Sequence, residues 1–363
     1  MILRAAIAIF RRDFKKFLSN PFAILMTLFM PIMYLVIFGN AMGGTISHIP
    51  VGIVQDTPYI EYTPLFDSVE HTLRYWNSSK SSRIIELTVF PDEQTAKNVL
   101  NNGKIDGVII IPSEISKTGE VRLYEDSSEY VIPGMIESAL SAAVAMAGSK
   151  NPVHIEKIYG DIDYIQFFGV GVIVMAIFMT TMMGGGIALI RDREMGIIEG
   201  YLVTPVKRSS IILGMIGSGT VRAFLAGSII FFVALLLTGI DIRSPSSYLL
   251  VFLVIAVSSL GITSLMVSFA SRFSNQQEYA ASSAFINLLL FMTSGAFYPI
   301  QGMPDWLRWL TVVNPEAYAV HSLRSIILRG QGLDIIGVDL LALGIFTAFT
   351  ITLGISTYRR TLE

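Results

Sequence analysis

The stretch that decides the fold is YIQFFGVGVIVMAIFMTTMMGGGIALI, Tyr164–Ile190, followed directly by RDREMGIIEGYLVTPVKRSS, Arg191–Ser210. The first part carries no charged side chain. It exceeds the roughly 18 apolar residues that mark a membrane-crossing helix. The second part is dense in charge, and a further apolar run, Ile211–Gly239, follows it. A short charged segment between two such runs reads as the aqueous link between two membrane helices.

The rest of the chain fits that reading. Its 363 residues are 52% hydrophobic and 15% charged, with a mean hydropathy of +0.60. Soluble domains carry about 25% charged residues. Apolar runs predict six spans, at 22–42, 164–190, 211–239, 247–270, 279–299 and 335–357. The fold class expected is a polytopic α-helical membrane protein, with an α/β extracytoplasmic domain inserted after the first span. The basic N-terminus and the run Phe22–Phe38 lack a small-residue cleavage site, so they read as an uncleaved signal anchor. With no cysteine, the chain has no disulfide, thiolate metal site or cysteine nucleophile. The four histidines (His48, His71, His154 and His321) show no metal-ligand spacing, so no metal site is expected.

Lys and Arg in the short loops set the orientation. One set of ends holds Arg4, Arg11, Arg12, Lys15, Lys16, Arg191, Arg193, Lys207, Arg208, Arg272, Arg359 and Arg360. The opposite loops hold only Arg243, Arg308, Arg324 and Arg329. The richer side is expected in the cytoplasm, with both termini, in a multi-pass protein of the cell membrane. Residues 1–20 form an amphipathic segment: Leu3, Ala6, Ile7, Phe10, Phe14 and Phe17 follow helical spacing, and the basic residues fall largely elsewhere. Such a helix lies in the headgroup plane against anionic lipid, packs on its own protein, or does both.

Residues 43–160 have ordinary soluble composition and are expected outside. Strands are read at 51–57, 83–90, 106–112 and 121–126, and helices at 61–76, 91–103 and 129–147. Pro91 and Gly103 are start and stop signals for the middle helix. Residues 45–160 hold nine basic and fifteen acidic side chains. That balance disfavours nucleic acid and other acidic polymers. No phosphate cradle, nucleophile elbow or close carboxylate pair is apparent, so a binding, gating or assembly module is expected rather than an enzyme.

The charged segment is expected to form a helix over 192–203. Met195, Ile198 and Tyr201 or Leu202 share one face, and Gly196 and Gly200 thin another. Pro205 stops it. Spacing alone leaves two readings open, a passive connector or a transmitter of force from a soluble motor.

The residues themselves narrow this. REMGIIEGYLVTPVKRSSIILG resembles the coupling segment of ABC-2 type export permeases, through Arg193, Glu194, Gly196, Glu199, Thr204, Pro205, Ile212, Leu213 and Gly214. SGAFYPIQGMPDWLRWLTVVNPEAYAVHSLRSIILRG resembles the family's second motif, through Ser294, Gly295, Pro299, Pro304, Trp306, Leu307, Asn314, Pro315 and Arg324. The resemblance covers the whole chain and points to the branch with a large extracytoplasmic domain after span one. It implies the membrane subunit of an ATP-driven exporter. Arg193, Glu194, Gly196, Ile198, Glu199, Tyr201, Thr204 and Pro205 would then dock the motor.

No G-x-x-x-x-G-K-[ST] occurs; Gly103-Lys104-Ile105 lacks the upstream glycine and the hydroxyl residue. The ATPase is therefore expected as a separate cytoplasmic P-loop subunit carrying ATP and Mg, and no cofactor is expected on this chain. The resemblance further implies a second permease copy, identical or paralogous, contact with membrane lipid, and room for an external accessory protein. The alternative is a mechanotransmission protein that passes ATPase motion to an external partner without moving cargo.

The resemblance also implies a path between the second and fifth spans of two copies. These carry Met175, Phe178, Met179, Met182 and Met183, then Leu290, Phe291, Met292 and Phe297. Methionine suits adaptable apolar surfaces. With no charge in 167–190 or 279–300, a lipophilic or amphiphilic cargo is expected rather than an ion or nucleotide. Simple helix packing would also explain these residues. Pro299, Pro304, Trp306, Asn314 and Pro315 belong to an external cap, a re-entrant or interfacial segment over about 300–330. Arg222 within the third run and Glu278 at the mouth of the fifth are open between structural and functional roles.

Overall fold

The computed structural model describes residues 2–39, 48–56, 63–76, 84–112, 120–128, 132–147, 153–157, 162, 164–197, 200, 206–240, 242 and 244–360. The chain divides into two compact units, one of Met1–Ala41, Phe168–Tyr298 and Trp306–Glu363, the other of Met42–Phe167 and Pro299–Asp305.

In chain order the elements are α1 (Ile2–Leu18), α2 (Pro21–Gly39), β1 (Ile49–Asp56), α3 (Pro64–Arg74), β2 (Ile85–Val89), α4 (Glu93–Asn101), β3 (Gly107–Pro112), β4 (Val121–Glu125), α5 (Ile132–Met146), β5 (Val153–Lys157) and α6 (Tyr164–Thr181). A π-helical turn, Met182–Ile187, joins α6 to α7 (Ala188–Glu194). There follow α8 (Arg208–Thr238), α9 (Pro245–Ala270), α10 (Gln276–Thr293), α11 (Asp305–Val313), α12 (Pro315–Ile327) and α13 (Leu333–Arg360).

Among the described residues, four helical stretches are long and apolar enough to cross a membrane: Tyr164–Glu194, Ser209–Thr238, Pro245–Ala270 and Leu333–Ser356. The chain is a polytopic helical membrane protein. The expected first and fifth spans form helices, α2 and α10, but fall outside this set. The apolar part of α2 is the shorter Ile24–Ile37, and Pro31 interrupts that helix's own hydrogen bonding.

The second unit holds a five-stranded sheet in the order β2-β1-β3-β4-β5. β1 runs parallel to β2 and β3, β4 antiparallel to β3, and β5 parallel to β4. Thr63 caps α3 by accepting from the Phe66 amide, and Asp92 caps α4 by accepting from Thr95. α4 buries Ala96 and Leu100 against Val54, Val108 and Ile110. The opposite side of the sheet meets α5, where Ile136 lies 3.1 Å from the position a Cβ on Gly107 would take. β3 is buried on both sides, which explains its unbroken apolar run.

In the helical unit, small residues set the spacing between helices. Gly261 of α9 would place a Cβ 2.7 Å from Thr347 Oγ1 of α13, and Gly354 of α13 would place one 2.6 Å from Ser268 Oγ of α9. Apolar lipid gives little drive for helices to associate, so close backbone contact of this kind carries the packing. Gly171 of α6 is tighter still: its Cβ would stand 2.5 Å from Ala296 Cβ, 2.8 Å from Ala296 Cα and 2.9 Å from its carbonyl oxygen. Backbone atoms cannot swing away. Gly171→Ala is therefore expected to destabilise the purified protein by about 1–3 kcal/mol in thermal unfolding. Gly344→Ala on α13, which meets nothing within 4 Å, should be neutral or stabilising.

Candidate functional site

The charged segment hangs from the π turn. Three glycines, Gly184, Gly185 and Gly186, each meet a different helix there. Arg222 of α8 lies 3.2 Å from the Cβ position of Gly184, Val267 of α9 3.2 Å from that of Gly185, and the Tyr279 hydroxyl of α10 1.8 Å from that of Gly186. The wide turn loosens the carbonyl ladder of α6, and Tyr279 donates to the Met182 carbonyl at 3.4 Å. Tyr279 is fully buried beside Phe269 and Phe273.

α7 is tied on three sides. Asp192, 2% exposed, is paired with Arg12 of α1 and lies 3.6 Å from Lys16. Arg193 donates to the Phe273 carbonyl at 2.9 Å and the Ser271 carbonyl at 3.4 Å, both just past α9. Glu194 accepts from the Gln276 amide at 3.1 Å and from the Gln276 side chain, at the first turn of α10. α1 lies along α8, where Gly214 would place a Cβ 2.7 Å from the Ala6 carbonyl oxygen. It buries Ala6 and Ile9, while Leu3 and Ile7 stay exposed. Burial raises the Asp13 carboxyl above its ordinary value, against the pull of Arg12.

The helix expected to start at Asp192 differs in the structure. α7 ends at Glu194, and Gly196 at φ 70° turns the chain. Helical geometry is found again at Ile197 and Gly200. Gly196 acts as the left-handed residue that closes a helix, not as a thin face within one. Ile198, Glu199, Tyr201, Thr204 and Pro205 lie outside the described residues.

α6 and α10 lie antiparallel. Tyr279 meets Met182 at one end, and Phe168 meets Phe291 edge-on at 6.3 Å towards the other. Phe297 closes that aromatic cluster at 5.9 Å from Phe168. Of the expected path residues, Met175, Phe178 and Phe291 are buried within this chain. Met179, Met182 and Met292 are half-buried, and Met183 is exposed.

Of the expected cap, Asn314 is a buried joint. Its Nδ2 donates to the Leu290 carbonyl at 2.7 Å and Thr293 Oγ1 at 2.9 Å, while its Oδ1 accepts from the Glu316 amide. One side chain thus ends α10 and starts α12, with Pro315 at the first helical position. Arg324 donates to the Gly295 carbonyl at 3.1 Å. Trp306 and Trp309 are exposed, on a helix, α11, with no buried residue. Pro299 and Pro304 flank the short 3₁₀ turn Ile300–Gly302.

Together these features define a multi-pass membrane protein whose charged linker is wired into its helix bundle. Residues 20–356 match the family described as ABC-2 family transporter protein, and the chain belongs to that family. It is 20% identical over 358 residues to the ABC transporter G family member 20 of Dictyostelium discoideum, covering 92% of this chain and 47% of that protein. It is 30% identical over 166 residues to the putative transport permease ycf38 of Porphyra purpurea, covering 45% and 56%. With the probable multidrug ABC transporter permease YbhS of Escherichia coli K12 it shares 22% identity over 344 residues, 88% and 87% of the two chains. The matched region is about half the length of the first two relatives.

Asp192, Asp13, Tyr279 and the glycine turn escape sequence reasoning. The one signal in the sequence is Asp13, an acid alone among the basic residues of α1. Asp192→Asn is expected to weaken the hold on α1 by about 1–3 kcal/mol, read as faster tryptic cleavage at Lys15 and Lys16. Asp13→Asn should behave oppositely. A raised folded value means that Asp13's contribution is fully present below the ordinary carboxylate value and lost as pH rises through the raised one. The variant should therefore unfold at a higher temperature than wild type near neutral pH, and the gap should close in acid.

Proposed function

We propose that this chain is the membrane subunit of an ATP-driven exporter of lipophilic or amphiphilic cargo. A separate P-loop ATPase, holding ATP and Mg, energises it by docking at 191–208. The observation that supports this most strongly is the three-way anchoring of α7. Asp192, Arg193 and Glu194 bind α1, the end of α9 and the start of α10. A load applied to the charged segment is therefore shared among helices rather than absorbed by a slack loop. Family membership agrees with it.

Six spans are the reading adopted, with α2 and α10 as the shorter pair. At 19 and 18 residues they extend about 27–29 Å at 1.5 Å per residue, near the ~30 Å hydrocarbon core. The basic asymmetry then puts both termini and 191–208 in the cytoplasm, and the sheet unit (43–160) outside the cell membrane. α10 leaves Phe285, Leu288 and Leu289 exposed on one face, a surface suited to a second permease copy. Met179, Met182, Met183 and Met292, incompletely covered within one chain, would border the path between copies. Pro304 and Trp306 would sit at its outer end. The name of YbhS, a probable multidrug permease, is compatible with apolar cargo.

Glu199→Arg is expected to abolish recovery of the ATPase with the permease while leaving the permease in the membrane. Undiminished recovery would return the segment to a connector. In vesicles holding permease and ATPase, the Met179, Met183 and Phe291 triple alanine variant should slow ATP-driven efflux of hydrophobic dyes about tenfold or more. Unchanged dye efflux would refute the path. ATPase stimulation with no cargo moved by the wild type would favour mechanotransmission.

A further inference from the structure

A cavity of about 150 Å³ lies among α1, α2, the π turn, α7 and α8. It is far larger than the ~10–15 Å³ one water requires. Arg222, Arg191 and Lys16 line it, as do Asp13 and Asp192. The two carboxylates are already engaged: Arg12 pairs with both, and Lys16 lies near Asp192.

Arg222 is 7% exposed. Its Nε and one Nη donate to the carbonyl and hydroxyl of Ser218 on its own helix. Among the described residues, neither Arg222 nor Arg191 has a carboxylate within ion-pair distance. Asp13 and Asp192 attract Arg222 from across the cavity, but a buried guanidinium whose own hydrogen bonds go only to a carbonyl and a hydroxyl keeps donors free for an anion. Here a second guanidinium, that of Arg191, shares the cavity with it. The remaining wall includes Phe17 and Met183, with the Arg222 guanidinium 5.4 Å from the Phe17 ring centre. α1 and the start of α2, which supply part of the cavity wall, expose Leu3, Ile7, Leu18 and Phe22. An amphipathic helix with such a face lies at headgroup depth.

We propose that this cavity binds the phosphate of an anionic phospholipid headgroup. Arg222 and Arg191 are the donors, and Phe17 lies beside the glycerol and the first acyl carbons. Guanidinium suits phosphate because its fork presents parallel N–H donors. A soluble phosphate shares the headgroup chemistry but gains nothing from the apolar wall, so the lipid is the ligand assigned. The inference rests on the chain's place in the membrane and is independent of export.

The test uses full-length protein without ATPase, so its outcome does not depend on transport. Native mass spectrometry compares retention of phosphatidylglycerol and phosphatidylcholine. The wild type should retain the anionic lipid preferentially, and millimolar inorganic phosphate should not displace it. Arg222→Gln should lower its retention about tenfold or more, the equivalent of one charge-assisted bond, and Arg222→Lys should lower it less. Arg191→Gln, at an exposed position that leaves folding intact, should lower it as well. Equal retention of the two lipids, or wild-type retention by Arg191→Gln and Arg222→Gln, would overturn the site. Displacement by inorganic phosphate would overturn the lipid as its ligand.

Discussion

Bare backbone at Gly184–Gly186 is the constraint on which the helical unit depends. A π turn places three successive residues so that each confronts a different neighbour: Arg222 of α8, Val267 of α9 and Tyr279 of α10. Any Cβ at Gly186 would overlap the tyrosine ring. Packing in lipid relies on such close approach because the surrounding chains are as apolar as the helices. The same turn leads from α6 into α7, whose charged side chains meet α1 and the ends of α9 and α10.

From that turn the polar contacts follow. Asp192 reaches Arg12, Arg193 reaches the carbonyls that end α9, and Glu194 reaches the start of α10. At the far end of α10, Asn314 joins it to α12. α10 is thus gripped at both ends by hydrogen bonds while its middle presents an apolar exposed face. That arrangement suits a helix that moves as a rigid rod. It gives a physical basis for the coupling proposed for this ABC-2 family protein.

The long spans are legible in sequence because an unbroken apolar run of ~20 residues matches the thickness of the hydrocarbon core and exceeds what a buried helix of a soluble core needs. The strands expected at 51–57, 83–90, 106–112 and 121–126 coincide with β1–β4 to within a few residues. β5 is not legible: Val153–Lys157 is five residues with two charges, and its pairing to β4 is what makes it a strand. The π turn is invisible because GGG inside an apolar run looks like continuing helix. Gly196 looks like a thin helix face in sequence, whereas its positive φ makes it a stop. The Arg12–Asp192 pair joins residues 180 apart in sequence, and no local spacing reports such a contact. Arg222 stands out as a charge in an apolar run, but its surroundings require the structure.

The claim that Gly186 and Tyr279 set the packing is tested most directly by a double-mutant cycle. Thermal unfolding of purified Gly186→Ala, Tyr279→Ala and the double variant measures the coupling. The account predicts that Gly186→Ala is strongly destabilising alone and adds little once the ring is gone, so that the double variant resembles Tyr279→Ala. Losses that simply add would contradict it.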